Sequence, residues 1–203
     1  YKTEQESFWA GPFGNEYITR NYDEKIIAGN INLFSQIVSS TNGIKSILEF
    51  GPNIGQNLIA LKQLLPSTLF SGIEINVNAC NVLSRLEWVN VINQSVLEYQ
   101  PKEKYDFVLT KGLLIHINPE FLPQLYKSLY DSTSKYICIV EYYNPSPVSI
   151  NYRGHTEKLF KRDFAGELLK TYNDLKLIKY GFSYHLDNNY PQDDLNWFLL
   201  QKH

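Results

Sequence analysis

Residues 46–61 read SILEFGPNIGQNLIAL, and the fold turns on them. A short apolar run, Ile47-Leu48-Glu49-Phe50, breaks at Gly51-Pro52-Asn53-Ile54-Gly55, and apolar residues resume at Leu58, Ile59, Leu61, Leu64 and Leu65. That succession is a buried strand, a tight loop and a helix. Two glycines let a ligand approach the backbone, Asn53 tolerates the left-handed conformation, and a helix N-terminus presents unpaired N–H groups. Such a loop suits the polar end of a nucleoside-like cofactor. The helix ends at Leu65-Pro66, and a second apolar strand, Leu69 to Ile73, stops at Glu74, nineteen positions beyond Gly55. An acidic residue about 20 positions on, at the tip of the second strand, can accept both ribose hydroxyls. The plainer alternative makes Glu74 a solvated charge at a helix N-terminus.

Two cofactor classes share this layout. A dinucleotide loop reads GxGxxG after a purely apolar strand and seats a pyrophosphate on the helix N-terminus. This loop reads ExGxNxG, and Glu49 would repel a pyrophosphate and welcome a cation. It resembles motif I of the class I S-adenosylmethionine-dependent methyltransferases, whose cofactor carries an ammonium and a sulfonium. The resemblance implies an α/β fold: a Rossmann-like, seven-stranded, mostly parallel sheet with an antiparallel last strand and helices on both faces. It also implies S-adenosyl-L-methionine as cofactor, held by Glu49, Gly51, Pro52, Asn53, Gly55, Glu74 and Ile75. After the third strand such enzymes commonly carry an Asp that meets the adenine amine. Ser95, followed by Val96, stands there instead, and either its hydroxyl or backbone groups take the contact.

Composition bounds the rest. A chain of 203 residues with 43% hydrophobic content suits one α/β domain, residues 1–203, with a full core. A net charge of −2 gives no reason to seek nucleic acid or an anionic membrane. No apolar run approaches membrane-spanning length, and YKTEQESFWAG is not a signal peptide, so a soluble cytoplasmic protein, monomer or homodimer, is expected. Methionine is absent, which suggests a natural N-terminus upstream of Tyr1 or trimmed away. Cys80 and Cys138 fall in a helix and a buried strand and read as free thiols; no metal site is expected.

Residues 1–42 read as an N-terminal helical cap. Thr3 to Ala10 forms a helix with a capping-box spacing from Thr3 to Glu6, residues 11–17 are a turn-rich aromatic loop, and 23–38 is a second helix with Ile26, Ile27, Ile31, Phe34, Ile37 and Val38 on one face. The cap either closes the cofactor cleft as a lid, bringing Trp9 and Tyr17 to the substrate, or only covers the sheet. Beyond Glu74 come a helix at 76–86 and strand three at 88–92. Strand four, 105–111, ends in Thr110 and Lys111, and GLLIHINP follows with His116. Ligands in open α/β sheets bind beyond the carboxyl ends of strands, which brings Thr110, Lys111 and His116 to the cleft mouth, with Thr110 and Lys111 assigned to the cofactor. His116 suits a general base near neutral pH, or anchors the loop through hydrogen bonds.

A helix at 119–132 leads to strand five, 135–141. Two prolines end it, so Tyr142, Tyr143 and Asn144 project into a loop at the ligand face. Residues 144–162 read as a substrate-side insertion. Arg153 and His155, with Lys158, Lys161 and Arg162 opening a helix to about Lys170, read as a wall for a carboxylate or phosphate, the alternative being a solvated charged face. Strands at 175–186 and 195–200 close the chain as a hairpin, with Asp193 and Asp194 either bracing it or facing substrate.

A narrower resemblance covers nearly the whole chain. TEQESFWAGPFGNEYITRN, LEFGPNIGQN, FVLTKGLLIHINP, EYYNPSPVSINYRGHTEKLFKRDFAGELL and YPQDDLNWFLLQK together look like the pseudaminic acid biosynthesis-associated methylases. That implies methyl transfer to a small anionic metabolite, a nonulosonic-acid-type sugar or its nucleotide-activated form, in bacterial surface-glycan biosynthesis. The acceptor is an oxygen or nitrogen. His116 is the first candidate base, with Glu141 and His155 behind it, and Trp9, Tyr17, Tyr142, Tyr143, Asn144, Tyr152, Arg153 and Lys158 are assigned to substrate. Two rivals stand beside it. Asn144-Pro145-Ser146-Pro147 hints at a nucleic-acid adenine methyltransferase, but it follows strand five and lacks the terminal aromatic; the other rival is a cofactor-binding protein without catalysis.

Overall fold

The computed structural model describes residues 1–20 and 24–203, and the side chains of Arg20, Glu24, His155 and Glu157 also fall outside the described set. Seven strands form one sheet in the order β3-β2-β1-β4-β5-β9-β8. They are β1 (Ser46–Phe50), β2 (Leu69–Glu74), β3 (Val89–Asn93), β4 (Tyr105–Lys111), β5 (Thr133–Glu141), β8 (Leu175–Ser183) and β9 (Leu195–Lys202). β1 to β5 pair in parallel, and β9 slots antiparallel between β5 and β8. The expected mostly parallel sheet with an antiparallel last strand is thus present.

The central strands carry apolar residues on both faces because both are covered. Along β1 and β4, Leu48, Phe50 and Val108 enter one core with α6 (Leu122–Asp131) and α7 (Phe164–Thr171). Their alternates Ile47, Phe107 and Leu109 enter a second core with α3 (Glu24–Val38) and α4 (Gln56–Leu64), to which Leu83 of α5 (Val77–Leu83) also contributes. This is the near-continuous hydrophobicity of parallel strands. Each fully buried Phe or Leu contributes roughly 1.5–3 kcal/mol relative to exposure. Cys80 and Cys138 are buried free thiols.

Two expectations fail locally. Residues 11–17 are not a loop: after α1 (Glu4–Ala10) the chain turns at Gly11 and enters α2 (Pro12–Arg20). Proline is tolerated as the first helical residue, where its missing N–H costs nothing. Gly14 is required by proximity, since a Cβ there would sit 1.8 Å from the Trp9 carbonyl oxygen. Nor do Lys158, Lys161 and Arg162 open a helix. Residues 144–162 contain a separate two-stranded hairpin of β6 (Val148–Tyr152) and β7 (His155–Lys161), and α7 begins at Phe164, capped by Asp163 Oδ1, which accepts from Gly166 N at 2.8 Å. Alternation, with Leu159 buried between Lys158 and Phe160, is the strand signal that the charges obscured.

Candidate functional site

A cavity of about 230 Å³ opens beyond the carboxyl ends of β1, β2 and β4 and is roofed by α1, α2 and the β6–β7 hairpin. The loop after β1 forms its floor. Gly51 (φ 73), Asn53 (φ 51) and Gly55 (φ 87) all take left-handed conformations. A Cβ on Gly51 would lie 3.0 Å from Leu113 Cδ1, so the loop runs tight against the segment after β4. Gly51, Pro52 and Asn53 line the cavity, whereas Gly55 does not; it starts α4 against Leu83.

The acidic residues take distinct positions. Glu49 is wholly buried. Asn57, on the first turn of α4, donates to its Oε1 at 2.6 Å, and among the described residues its Oε2 has no hydrogen-bond partner. Burial pushes its pKa up to about 7, against the Asn57 hydrogen bond and the positive charge of Lys111. Burial lowers Lys111 in turn, with Glu49, then Asp193 and Glu141, opposing. At the tip of β2, Glu74 bridges two elements: Oε2 accepts from Asn53 N at 2.9 Å and Oε1 from Asn76 N at 2.8 Å. Burial raises its pKa while those N–H groups hold it down.

These groups suit a donor-rich, cationic nucleoside. Asn53 Oδ1, in the lining, and Glu49 Oε2, behind Asn57 and outside the lining, are buried acceptors without partners among the described residues, which is costly in a folded chain unless a ligand donates to them. Of the other residues expected to hold cofactor, Ile75, Ser95, Val96 and Lys111 line the cavity. Thr110 does not: it is fully buried, with Oγ1 unpartnered among the described residues.

Ser95 is already engaged. Its hydroxyl donates to Glu6 Oε1 of α1 and accepts from Leu97 N at 3.0 Å. Glu6 Oε2 in turn accepts from Thr3 N at 2.9 Å and Lys2 N at 2.6 Å, completing the capping box that the sequence announces. Glu6 and Asn57 are the residues that sequence reasoning missed. The box spacing was a local signal fully explained by local bonding, and nothing in it points to Ser95.

On the substrate side, Trp9, Tyr17, His116, Tyr142 and Tyr152 line the cavity together. The His116 ring lies 4.5 Å from Trp9 and 5.1 Å from Tyr152, centroid to centroid. Its Nδ1–H donates to the Lys158 carbonyl at 2.7 Å, which assigns the lone pair to Nε2. Burial lowers its pKa to about 4, so the imidazole is neutral at physiological pH. Burial and then the neighbouring Asp193 carboxylate, another lining group, raise the pKa of the Tyr142 hydroxyl.

Other expected site residues lie elsewhere. Glu141 does not line the cavity; its Oε1 accepts from Leu113 N and Leu114 N, each at 2.9 Å, and so anchors the segment after β4. Tyr143 packs on Phe198 with ring centroids 5.9 Å apart, and Asn144 bonds within its own turn and to the Arg162 carbonyl. Arg153 (φ 49) and Gly154 form the hairpin tip, and Arg153 is exposed. Lys158 Nζ pairs with Glu4 at 3.1 Å. The expected anion wall is therefore dispersed, because a charge run in a hairpin alternates faces and its members find separate partners, Lys158 on Glu4 and Arg162 on Glu167. The His155 side chain lies outside the described residues. Among the described residues no cluster of three or more His, Cys, Asp or Glu could hold a metal, and no helix is long and apolar enough to cross a membrane.

No family model matches the chain, and no curated protein matches it. Solved structures do. The plantazolicin methyltransferase BpumL in complex with SAH is similar over 98% of this chain and 94% of that one, at 17% identity and a TM-score of 0.69. A SAM-dependent methyltransferase of the DUF858 family from Leishmania major covers 97% and 81%, at 15% identity and TM-score 0.75. Magnesium protoporphyrin IX methyltransferase from Synechocystis PCC 6803 with bound SAH covers both chains in full, at 15% identity and TM-score 0.72. With its strand order and its antiparallel β9, the chain has the Rossmann-like methyltransferase fold.

Proposed function

We propose that the chain transfers a methyl group from S-adenosylmethionine to an oxygen or nitrogen of a small anionic metabolite, a nonulosonic-acid-type sugar or its nucleotide-activated form. The observation that carries the cofactor half is the pairing of the Gly51–Gly55 loop with Glu74, whose carboxylate spans that loop and the start of α5. Bound there, the cofactor supplies an electrophilic methyl group. Glu49, Gly51, Asn53 and Asn57 would hold its cationic tail, and Glu74 its ribose hydroxyls. The structural neighbours, crystallised with SAM or SAH, support the same reading.

The acceptor half rests on the aromatic enclosure. Trp9, Tyr17, Tyr142 and Tyr152 offer ring faces suited to the C–H surface of a sugar, and Asp193 and Asn118 offer acceptors for its hydroxyls. Neutral His116 presents Nε2 as a hydrogen-bond acceptor that orients the attacking group; burial that lowers its pKa to about 4 makes it a weak base, so its part is orientation and the proton is released as the product leaves. Holding reactants in position recovers several kcal/mol of barrier, and α1, α2 and the hairpin serve as the lid that excludes water. Another small metabolite is the alternative acceptor, favoured by the position of Arg153 and Lys158 outside the cavity lining, which leaves an anionic acceptor without those two cations.

The test is mass spectrometry of purified protein with S-adenosylmethionine and a panel of free and nucleotide-activated nonulosonic acids, with neutral sugars and nucleic acid as controls, alongside calorimetry of SAH binding. A product heavier by one methylene, together with SAH binding abolished in Glu74→Ala, is expected. SAH affinity unchanged in Glu74→Ala would refute the cofactor half, and methylation confined to the control panel would refute the acceptor half.

A further inference from the structure

The cavity continues past Glu74 toward β3, where its lining joins Ile75, Val96 and Leu97 to two polar groups, Glu6 and Ser95. A nucleoside with its tail on the β1 loop and its ribose at Glu74 has its base in this part of the cavity, because β1, β2 and β3 are successive neighbours in the sheet. We propose that Glu6, carried in from α1 and held by Ser95, reads that base and selects a purine bearing an exocyclic amine. This inference rests on the cofactor reading above and deepens it.

The bonding inventory supplies the selectivity. Glu6 is only 7% exposed and Ser95 likewise 7%. One carboxylate oxygen, Oε2, is filled by the N–H groups of Lys2 and Thr3. The other, Oε1, accepts from Ser95 Oγ and keeps a second lone pair. Ser95 has spent its own hydrogen on Glu6 and accepts from Leu97 N, so it positions the carboxylate and, like it, can only accept from the base. An ionised carboxylate is acceptor-only. The edge it faces must therefore donate: the amine of adenine fits, whereas the carbonyl of hypoxanthine sets two acceptors against each other. The capping box alone accounts for Oε2 and gives no reason for the bond from Oε1 to a residue 89 positions away.

Calorimetry with SAH and with its deaminated analogue S-inosylhomocysteine tests this without any turnover. Wild-type protein should prefer the adenine form by about 10- to 100-fold, the range for leaving a buried charged acceptor facing another acceptor. Glu6→Gln keeps the capping box, since Gln serves at that position, and adds an amide donor for the hypoxanthine carbonyl. Its preference should drop below about threefold with the melting profile unchanged, and Ser95→Ala should reduce it part of the way. A Glu6→Gln variant that binds SAH and keeps the wild-type preference overturns the proposal while leaving the cofactor reading intact. Wild-type protein that binds neither compound overturns both.

Discussion

Glu49→Gln separates what the fold needs from what the ligand needs. Burial raises the Glu49 carboxyl from an ordinary 4.5 to about 7. Each pH unit is worth about 1.4 kcal/mol, so keeping this residue costs the folded chain about 3 kcal/mol above pH 7. The sign follows from proton counting: between pH 4.5 and 7 the unfolded chain has released the proton that the folded chain retains, so stability falls as pH rises through that window. Gln carries no such proton, and its carbonyl still accepts from Asn57 Nδ2. The variant should therefore be more stable by up to about 3 kcal/mol at pH 8, an increase in Tm of roughly 6–12 °C for a chain of this size, and unchanged at pH 4.5. Lost attraction to Lys111, whose largest opposing charge is Glu49, trims the gain. Glu141, also raised to about 7, is present in both proteins and cancels in the difference. Thermal melts of ligand-free protein at pH 4.5, 6 and 8 measure this, and calorimetry on the same samples should show SAM affinity reduced by about tenfold or more, as expected for loss of a charged hydrogen-bond acceptor. A variant no more stable at pH 8, or equally stabilised at pH 4.5, would show that Glu49 does not hold its proton into the neutral range.

His116→Gln should lower kcat by about tenfold, as expected for loss of one hydrogen bond that orients the attacking group, with SAH affinity within about threefold of wild type; a loss of affinity instead would make His116 a cofactor residue. Because His116 sits near 4 when folded against an ordinary 6.5, the unfolded chain takes up a proton between pH 6.5 and 4 that the folded chain refuses. Stability is lost over that acid window, and His116→Gln should flatten the loss in acid-titrated melts. Gly51→Ala sets a side chain at φ 73 and 3.0 Å from Leu113 Cδ1, which should cost about 1–2 kcal/mol of stability in urea titrations from the left-handed strain alone. An unchanged midpoint would mean that the loop relaxes freely.

The sheet was legible because its central strands are buried on both faces and so appear as apolar runs bounded by Gly, Pro and Asn. Ile47–Phe50 and Phe107–Leu109 needed no partner information to be recognised. Glu74 was legible for a related reason: its spacing from the loop is set by one helix and one strand. The failures share a cause. Pro12, Gly11 and Gly14 carry strong turn chemistry, and only the approach of Trp9 to Gly14 explains a glycine inside a helix. Lys158 and Arg153 have the composition of an anion site, but direction decides what a charge does: Lys158 turns to Glu4, and Arg153 sits at the hairpin tip. Glu6 was read as a cap and is one, yet its bond to Ser95 spans 89 positions, beyond any local pattern.

The charge inventory of the cavity bears on a choice that the glycine loop alone leaves open. Glu6 and Glu74 line the cavity, Glu49 stands behind Asn57, and Lys111 is the one lysine or arginine among the described lining residues. Lys111 is itself opposed by Glu49, Asp193 and Glu141. A pyrophosphate seated on the β1 loop in the cofactor's place would meet repulsion from Glu49 and Glu74 across a buried, weakly screened distance. A ligand that presents an ammonium, hydroxyls and an aromatic amine would instead meet an acceptor at each end. The N-terminal segment is integral to this balance: without α1 the cavity loses Glu6 and the Trp9 wall against His116 together, so residues that come first in the chain complete a site whose other parts lie at the ends of strands far along it.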